Sequence, residues 1–249
     1  MAEPASEGAA QSSKPRTQSL SERAFRAAAK GPGILISVAV GAAILWRLEQ
    51  NGWGTLVWLA TCITVKRIRA PFEKDSKEET FLKHHQAGID TIIMLVFLMG
   101  GGIIPMAHLA TGVLAFANYS LPVWAPALSF LGLVPGVVLF RASHVDLGRN
   151  WSVATELREG HILVTTGVYK HVRHPMYSAL WLIFSTYPLL LHNWIAGLSS
   201  VAGFAVLYSV RVPYEERMMH ERFGEEYASY MQRSGRLWPP LRPKAAHQQ

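Results

Sequence analysis

The apolar and basic residues of this chain avoid each other in a pattern that leaves few folds open. Apolar blocks fall at roughly 31–46, 53–65, 89–116, 122–140, 177–191 and 194–210. The 24 Lys and Arg residues are sorted around them: five before the first block, six in 66–88, five in 141–176 and seven from Arg211 onward. Only Arg47 lies in a connection of the opposite set. A bilayer crossing needs ~20 apolar residues, and cytoplasmic loops of membrane proteins collect Lys and Arg. Alternate connections thus carry nearly all the positive charge. The pattern reads as an all-α, multi-pass integral membrane protein of about five or six transmembrane helices, with both termini and the polar C-terminal region cytoplasmic.

The third and fourth blocks are long enough to span. The first pair and the last pair are short, which fits tilted hairpins or a re-entrant pair. Hydrophobic residues make up 50% of the chain and charged ones 16%, too apolar for an ordinary soluble domain. The net charge of +7 is accounted for by sidedness, so nucleic acid is not an expected partner. Cys62 is the only cysteine, which excludes a disulfide within the chain and a cysteine-based metal site. His161, His171 and His174 lack a carboxylate at ligand spacing, so no metal is expected. Residues 1–30 read as a disordered basic tail without the apolar core of a secretory signal. The rest divides into membrane helices over 31–140, a functional region over 141–240 that includes the last hairpin, and a tail over 241–249. In the third block, Gly100-Gly101-Gly102 with Pro105 reads as a close helix contact, with a substrate crevice as the alternative.

Two polar clusters flank the last apolar hairpin and should meet in space. The first, within 161–179, holds His161, Tyr169, His171, Arg173, His174 and Tyr177. Ionisable groups at a membrane are costly and mark function by default. Upstream, Gly148 and Asn150 suit a helix stop and turn. Pro175 fits the first position of a helix, whose N-terminus favours anionic groups. The second cluster is Arg211-Val-Pro-Tyr-Glu-Glu216. Pro213 is expected to bend or restart the helix there, leaving Glu215 and Glu216 in a new first turn. Met219, Phe223, Tyr227 and Met231 recur every four residues, the pattern of one amphipathic helix. Each residue alone has a structural role to hand: helix start, interfacial ring, or dipole-compensating acid. Together they suit a cationic or ribose-bearing cofactor and an acceptor arriving from the bilayer.

Taken in order, His161-x-Leu-Val-Thr-Thr-Gly-x-Tyr169, Arg173-His174-Pro175-x-Tyr177, Arg211-x-x-x-Glu215-Glu216 and Phe223-Gly224-x-x-Tyr227-x-x-Tyr230 resemble the isoprenylcysteine carboxyl methyltransferase family. Integral-membrane phospholipid methyltransferases are its wider kin. The resemblance covers about residues 146–240 and leaves the first 140 without a counterpart. It implies S-adenosyl-L-methionine as methyl donor, held by His161, Ile162, Leu163, Val164, Tyr169, His174, Pro175, Met176, Tyr177 and Glu215. It also implies that Arg211 faces the acceptor, a prenylated or otherwise lipophilic molecule. Two departures stand out: Ala179 replaces a usual glycine, and Ala154 stands where some members have a glutamine.

Methyl transfer from a sulfonium is an in-line displacement, so alignment and exclusion of water matter most. A carboxylate acceptor is already ionised and fits a forked bond from Arg211. An amine or thiol acceptor, as in N-methylation of a phospholipid or S-methylation of a small thiol, would need a base. His174 or Glu216 could serve, which makes Arg211, Glu216 and His174 the catalytic candidates. A transporter or a non-catalytic scaffold are the readings outside this class.

Overall fold

The computed structural model describes residues 35–77, 87–152 and 160–240. The expectations for the 1–30 tail, the 241–249 tail and Ala154 lie outside these residues. A first unit ends at Ala42 and a second runs from Ala43. The first is described only where it enters an apolar helix, α1 (Leu35–Trp46).

In the second unit, a short α2 (Leu48–Asn51) precedes α3 (Gly54–Lys77). Then come α4 (Ala87–Leu98), a π-helical turn at Met99–Ile103 and α5 (Ile104–Thr111). Next are α6 (Ala125–Leu128) and α7 (Phe130–Leu147). The last hairpin is α8 (Pro175–Phe184), α9 (Tyr187–Leu191) and α10 (Trp194–Phe223), followed by α11 (Glu225–Arg233). The described residues form helices and no strand longer than an isolated bridge. Three stretches are long and apolar enough to cross a membrane: Gly88–Thr111, Ala125–Asn150 and Trp194–Phe223. Leu35–Trp46 and Pro175–Leu191 are shorter apolar helices. The set is compatible with five or six crossings.

Several expected boundaries move. Helix α3 outruns the second apolar block, continuing to Lys77 through a polar second half. Pro213 does not restart a helix: α10 is continuous over 30 residues. A proline removes one backbone donor, here the partner of the Ser209 carbonyl. That residue is exposed, so the loss falls on the helix surface and the helix passes through. At ~1.5 Å per residue α10 is about 45 Å long, well beyond the ~30 Å hydrocarbon layer. The turns bearing Arg211, Glu215 and Glu216 therefore have length to emerge. The Met219–Met231 repeat is not one helix either. It breaks at Gly224, whose φ of +51° suits glycine.

The long α10 packs against α4, the π turn, α5, α8 and α9. The tightest point involves Gly100. In the π turn the Ile104 amide bonds to the Met99 carbonyl, so the next donor in register would be residue 105. That residue is proline and has none. The orphaned Gly100 carbonyl instead accepts from Ser199 Oγ at 3.0 Å and Ser200 Oγ at 3.1 Å, both on α10. A side chain at Gly100 would sit 2.2 Å from the Ser199 carbonyl oxygen. The Gly-Gly-Gly-x-x-Pro motif is thus a helix contact, with backbone meeting backbone.

The most extensive helix contact is between α7 and α8. Gly132 and Gly136 on α7 face Leu182 and Ile183 on α8 and Thr186 just after it too closely for a methyl group. Ala179 lies fully buried in this contact, its carbonyl against Gly136. At the other end of the hairpin, buried Asn193 caps α10 by accepting from the Ala196 amide at 2.8 Å. Its amide group donates to Leu114 O and Asn118 Oδ1, both at 2.7 Å, which ties the α5–α6 connection to the hairpin.

Gly100→Ala should cost about 1–3 kcal/mol by overpacking. Gly102, with open space around its Cα, should accept alanine with little change. Thermal unfolding of both variants in detergent checks the contrast.

Candidate functional site

Beyond α7 the chain turns sharply and is held to that helix's end. Gly148 closes α7 with φ of +50°. Asn150 Oδ1 accepts from the Ile162 amide at 3.1 Å, and Asp146 Oδ2 from the Val168 amide at 2.8 Å. Gly167 lies at φ +58°, where an added Cβ would be 2.1 Å from the Asp146 carboxylate. The Thr-Thr-Gly sequence is therefore a turn packed directly on an acid. It starts a 3-10 turn, Gly167–Lys170, that sends Tyr169 inward. Tyr169 donates to Ser143 O at 3.3 Å, and its carbonyl accepts from Tyr230 at 2.6 Å. Burial, then the neighbouring Tyr230, Glu215 and Asp146, push the Tyr169 hydroxyl well above its ordinary pKa. It remains a neutral donor.

Pro175 opens α8 at its first turn, as its fixed φ predicts. His174 sits just before it and Tyr177 just inside. Across from them stands the end of α10. Successive helical residues point about 100° apart, so Glu215 and Glu216 face different neighbours. Glu215 accepts from the Tyr177 hydroxyl at 2.6 Å and lies 3.7 Å from His174 Nδ1. Glu216 turns behind the His174 segment and is 7% exposed.

The Glu216 carboxylate is enclosed by positive and donor groups. Arg173 Nε and His174 Nε2 both approach Oε1 at 3.3 Å. Arg236 Nε reaches Oε1 at 3.1 Å, and its Nη2 bonds Oε2. Arg173 also donates to Met231 O at 3.1 Å and to Ser234 O, which anchors it to the end of α11. After α11 the chain returns alongside the His174 segment. Gly235 N donates to His171 O at 3.0 Å, Arg173 N to Gly235 O at 2.8 Å and His174 N to Arg236 O at 3.0 Å. Ser178 Oγ then holds Leu237 O at 2.5 Å.

In front of this wall opens a cleft enclosing about 860 Å³, including its open mouth. Its lining includes His161, Ile162, Leu163, Val164, Tyr169, His174, Met176, Tyr177 and Glu215. Those are nine of the ten residues singled out in the sequence for the methyl donor; Pro175 alone is not on the surface of the cleft. Arg173, Met218, Met219, Tyr227 and Tyr230 complete much of the wall. Neither Arg211 nor Glu216 lines it. Arg211 instead lies one helical turn before Glu215, with Nε 3.8 Å from Asp90 Oδ1 on α4. Ala179 is also off the cleft, so its methyl group is a matter of α7–α8 packing. The described residues hold no group of three or more His, Cys, Asp and Glu able to bind a metal ion.

Sequence reasoning missed Arg236, Ser234 and Asp90. Arg236 was one of seven basic residues in a stretch explained by sidedness. Only its distance to Glu216 distinguishes it. Met219 was read as part of an amphipathic stripe, and Met218 was not singled out.

Residues 128–221 match the family described as isoprenylcysteine carboxyl methyltransferase (ICMT). That segment is less than half of the chain, and over it the chain is similar to the ICMT family. Among similar curated proteins are protein-S-isoprenylcysteine O-methyltransferase B of Arabidopsis thaliana and a probable protein-S-isoprenylcysteine O-methyltransferase of Oryza sativa subsp. indica. The first is 30% identical over 112 residues, covering 44% of this chain and 57% of the relative. The second is 35% identical over 114 residues, covering 43% and 58%. The Homo sapiens protein-S-isoprenylcysteine O-methyltransferase is 34% identical over 113 residues, covering 44% and 39%. The chain thus spans little more than half the length of the two plant relatives. The matched part contains α7, the turn, α8, α9, nearly all of α10 and most of the cleft.

Gly167→Ala should cost more stability than Gly160→Ala. Both glycines have positive φ, worth ~1–2 kcal/mol to a side chain, but only Gly167 is hemmed in, by Asp146. Unfolding curves should separate them, and a Gly167→Ala protein as stable as Gly160→Ala would contradict the packed turn.

Proposed function

We propose that this protein is a membrane methyltransferase that uses S-adenosylmethionine to O-methylate the C-terminal carboxylate of an isoprenylcysteine or a similar lipophilic acceptor. The observation that carries this reading is the cleft at the mouth of the α8–α10 hairpin, with nine of ten expected donor residues on its wall. The names of the relatives point to the same acceptor class.

The cleft residues suit the donor's chemistry. Glu215 is a carboxylate beside a hydroxyl, fit for ribose hydroxyls or a cationic group. Tyr169, Tyr177, Tyr227 and Tyr230 offer ring faces and edges, and Met176, Met218 and Met219 supply an adaptable apolar lining. When bound, S-adenosylmethionine supplies an electrophilic methyl group on a sulfonium. The protein's part is to hold the donor in one pose, bring the acceptor into line and keep water away. A carboxylate acceptor needs no base, which agrees with Glu216 being enclosed by Arg173, His174 and Arg236. Arg211, one turn nearer the apolar part of α10, is assigned to the acceptor carboxylate by a charge-assisted bond. Its pairing with the carboxylate of Asp90 supports an anion-directed orientation. The acceptor enters from the bilayer. The cleft, both termini and the end of α3 are assigned to the cytoplasmic side by the basic-residue distribution.

Labelled donor incubated with purified protein and a panel of prenylcysteines, phosphatidylethanolamine and small thiols should label the prenylcysteines. Labelling confined to the amine or the thiols would move the protein to the other acceptor class.

Glu215→Gln should weaken donor binding about tenfold or somewhat more, the loss of one charge-assisted hydrogen bond at ~1.5–3 kcal/mol. Arg211→Leu should leave donor affinity near wild type and lower turnover of a carboxylate acceptor. Calorimetric donor titrations of both variants separate the roles; a donor affinity abolished by Arg211→Leu would reverse them.

A further inference from the structure

We infer that Arg236, outside the matched family segment and off the cleft surface, is a positioning residue for the donor site. It acts through Glu216 on Arg173 and His174. This rests on the donor-binding reading above.

Two cleft residues, Arg173 and His174, meet the same oxygen of Glu216. That oxygen and its twin are both engaged by Arg236, in a forked pair. A planar guanidinium fixes a carboxylate in orientation as well as position. With Glu216 buried, its orientation contributes to where Arg173 and His174 point, alongside the carbonyls that also hold Arg173. Arg236 is itself 48% exposed along its side chain and carries its own anchor. Its carbonyl accepts from the His174 amide, and the next residue's carbonyl is held by Ser178. The same short segment therefore grips the start of α8 by its backbone and the end of α10 by its guanidinium. It joins the two elements that carry His174 and Glu215. A purely structural arginine on a half-exposed tail would need none of this convergence.

The test compares wild type, Arg236→Gln, Arg236→Lys, Glu216→Gln and the double variant Arg236→Gln/Glu216→Gln in full-length detergent-purified protein. Arg222→Gln on the exposed side of α10 is the control. S-adenosylmethionine affinity is read by calorimetry and folding by thermal unfolding. Arg236→Gln should raise the donor dissociation constant about tenfold, with Arg236→Lys in between because a single ammonium cannot fork. The double variant should weaken binding by less than the product of the two single effects, because both act on one network. Arg222→Gln should bind as wild type. Equal donor affinity in wild type and Arg236→Gln, both folded, would overturn the inference, as would fully multiplicative effects. Should Arg236→Gln fail to fold, Arg236→Lys and Glu216→Gln decide: unchanged affinity in folded Arg236→Lys overturns it. Absence of donor binding by folded wild-type protein is a different result, which would defeat the donor-site reading itself.

Discussion

A single carboxylate is the point on which the C-terminal half turns. Glu216 sits where α10 passes behind the start of α8, almost out of water, and desolvating a charge there costs several kcal/mol unless it is well partnered. Two guanidiniums and an imidazole supply that partnership. They come from separate parts of the chain, so satisfying one buried charge draws the segment before α8, the end of α10 and the segment after α11 to one place. The neighbour Glu215, turned by the helical pitch, is left facing the cleft.

The rest of the architecture makes that meeting possible. Helix α10 runs unbroken over 30 residues and so carries residues 211–216 at its far end, and the close contact at Gly100 lets the α4–α5 stretch approach it backbone to backbone. The serine pair bonding the Gly100 carbonyl shows how a π turn and a proline are tolerated in an apolar helix: the freed acceptor is satisfied by a neighbour rather than by water. The α7–α8 contact through Gly132 and Gly136 does the same on the other side. It holds the turn at 160–170 over the cleft by way of Asp146 and Asn150.

Separate places for donor and acceptor follow from this arrangement in the proposed reaction. Glu215 and Arg211 are one helical turn apart, yet the first faces Tyr177 and the cleft and the second faces Asp90 on α4. Residue Asp90 belongs to the half of the chain outside the matched family segment. In that proposal the acceptor side would include a residue outside the matched segment, while most of the donor cleft lies within it.

Much was legible from the sequence. Apolar block length and the sorting of Lys and Arg are one-dimensional properties imposed by the bilayer, so the all-helical membrane class could be read directly. The start of α8 at Pro175 and the end of α7 at Gly148 follow from local backbone chemistry. The juxtaposition of the two polar clusters follows from their flanking one hairpin. The continuity of α10 through Pro213 did not follow, because the cost of one missing hydrogen bond depends on whether the orphaned carbonyl is exposed. The break at Gly224 was hidden by a periodic stripe that spans two helices. The different fates of Glu215 and Glu216, and the part played by Arg236, were decided only by the tertiary structure. Sequence spacing sets which residues share an element, but which charge finds which partner depends on distances between elements that composition and periodicity do not contain.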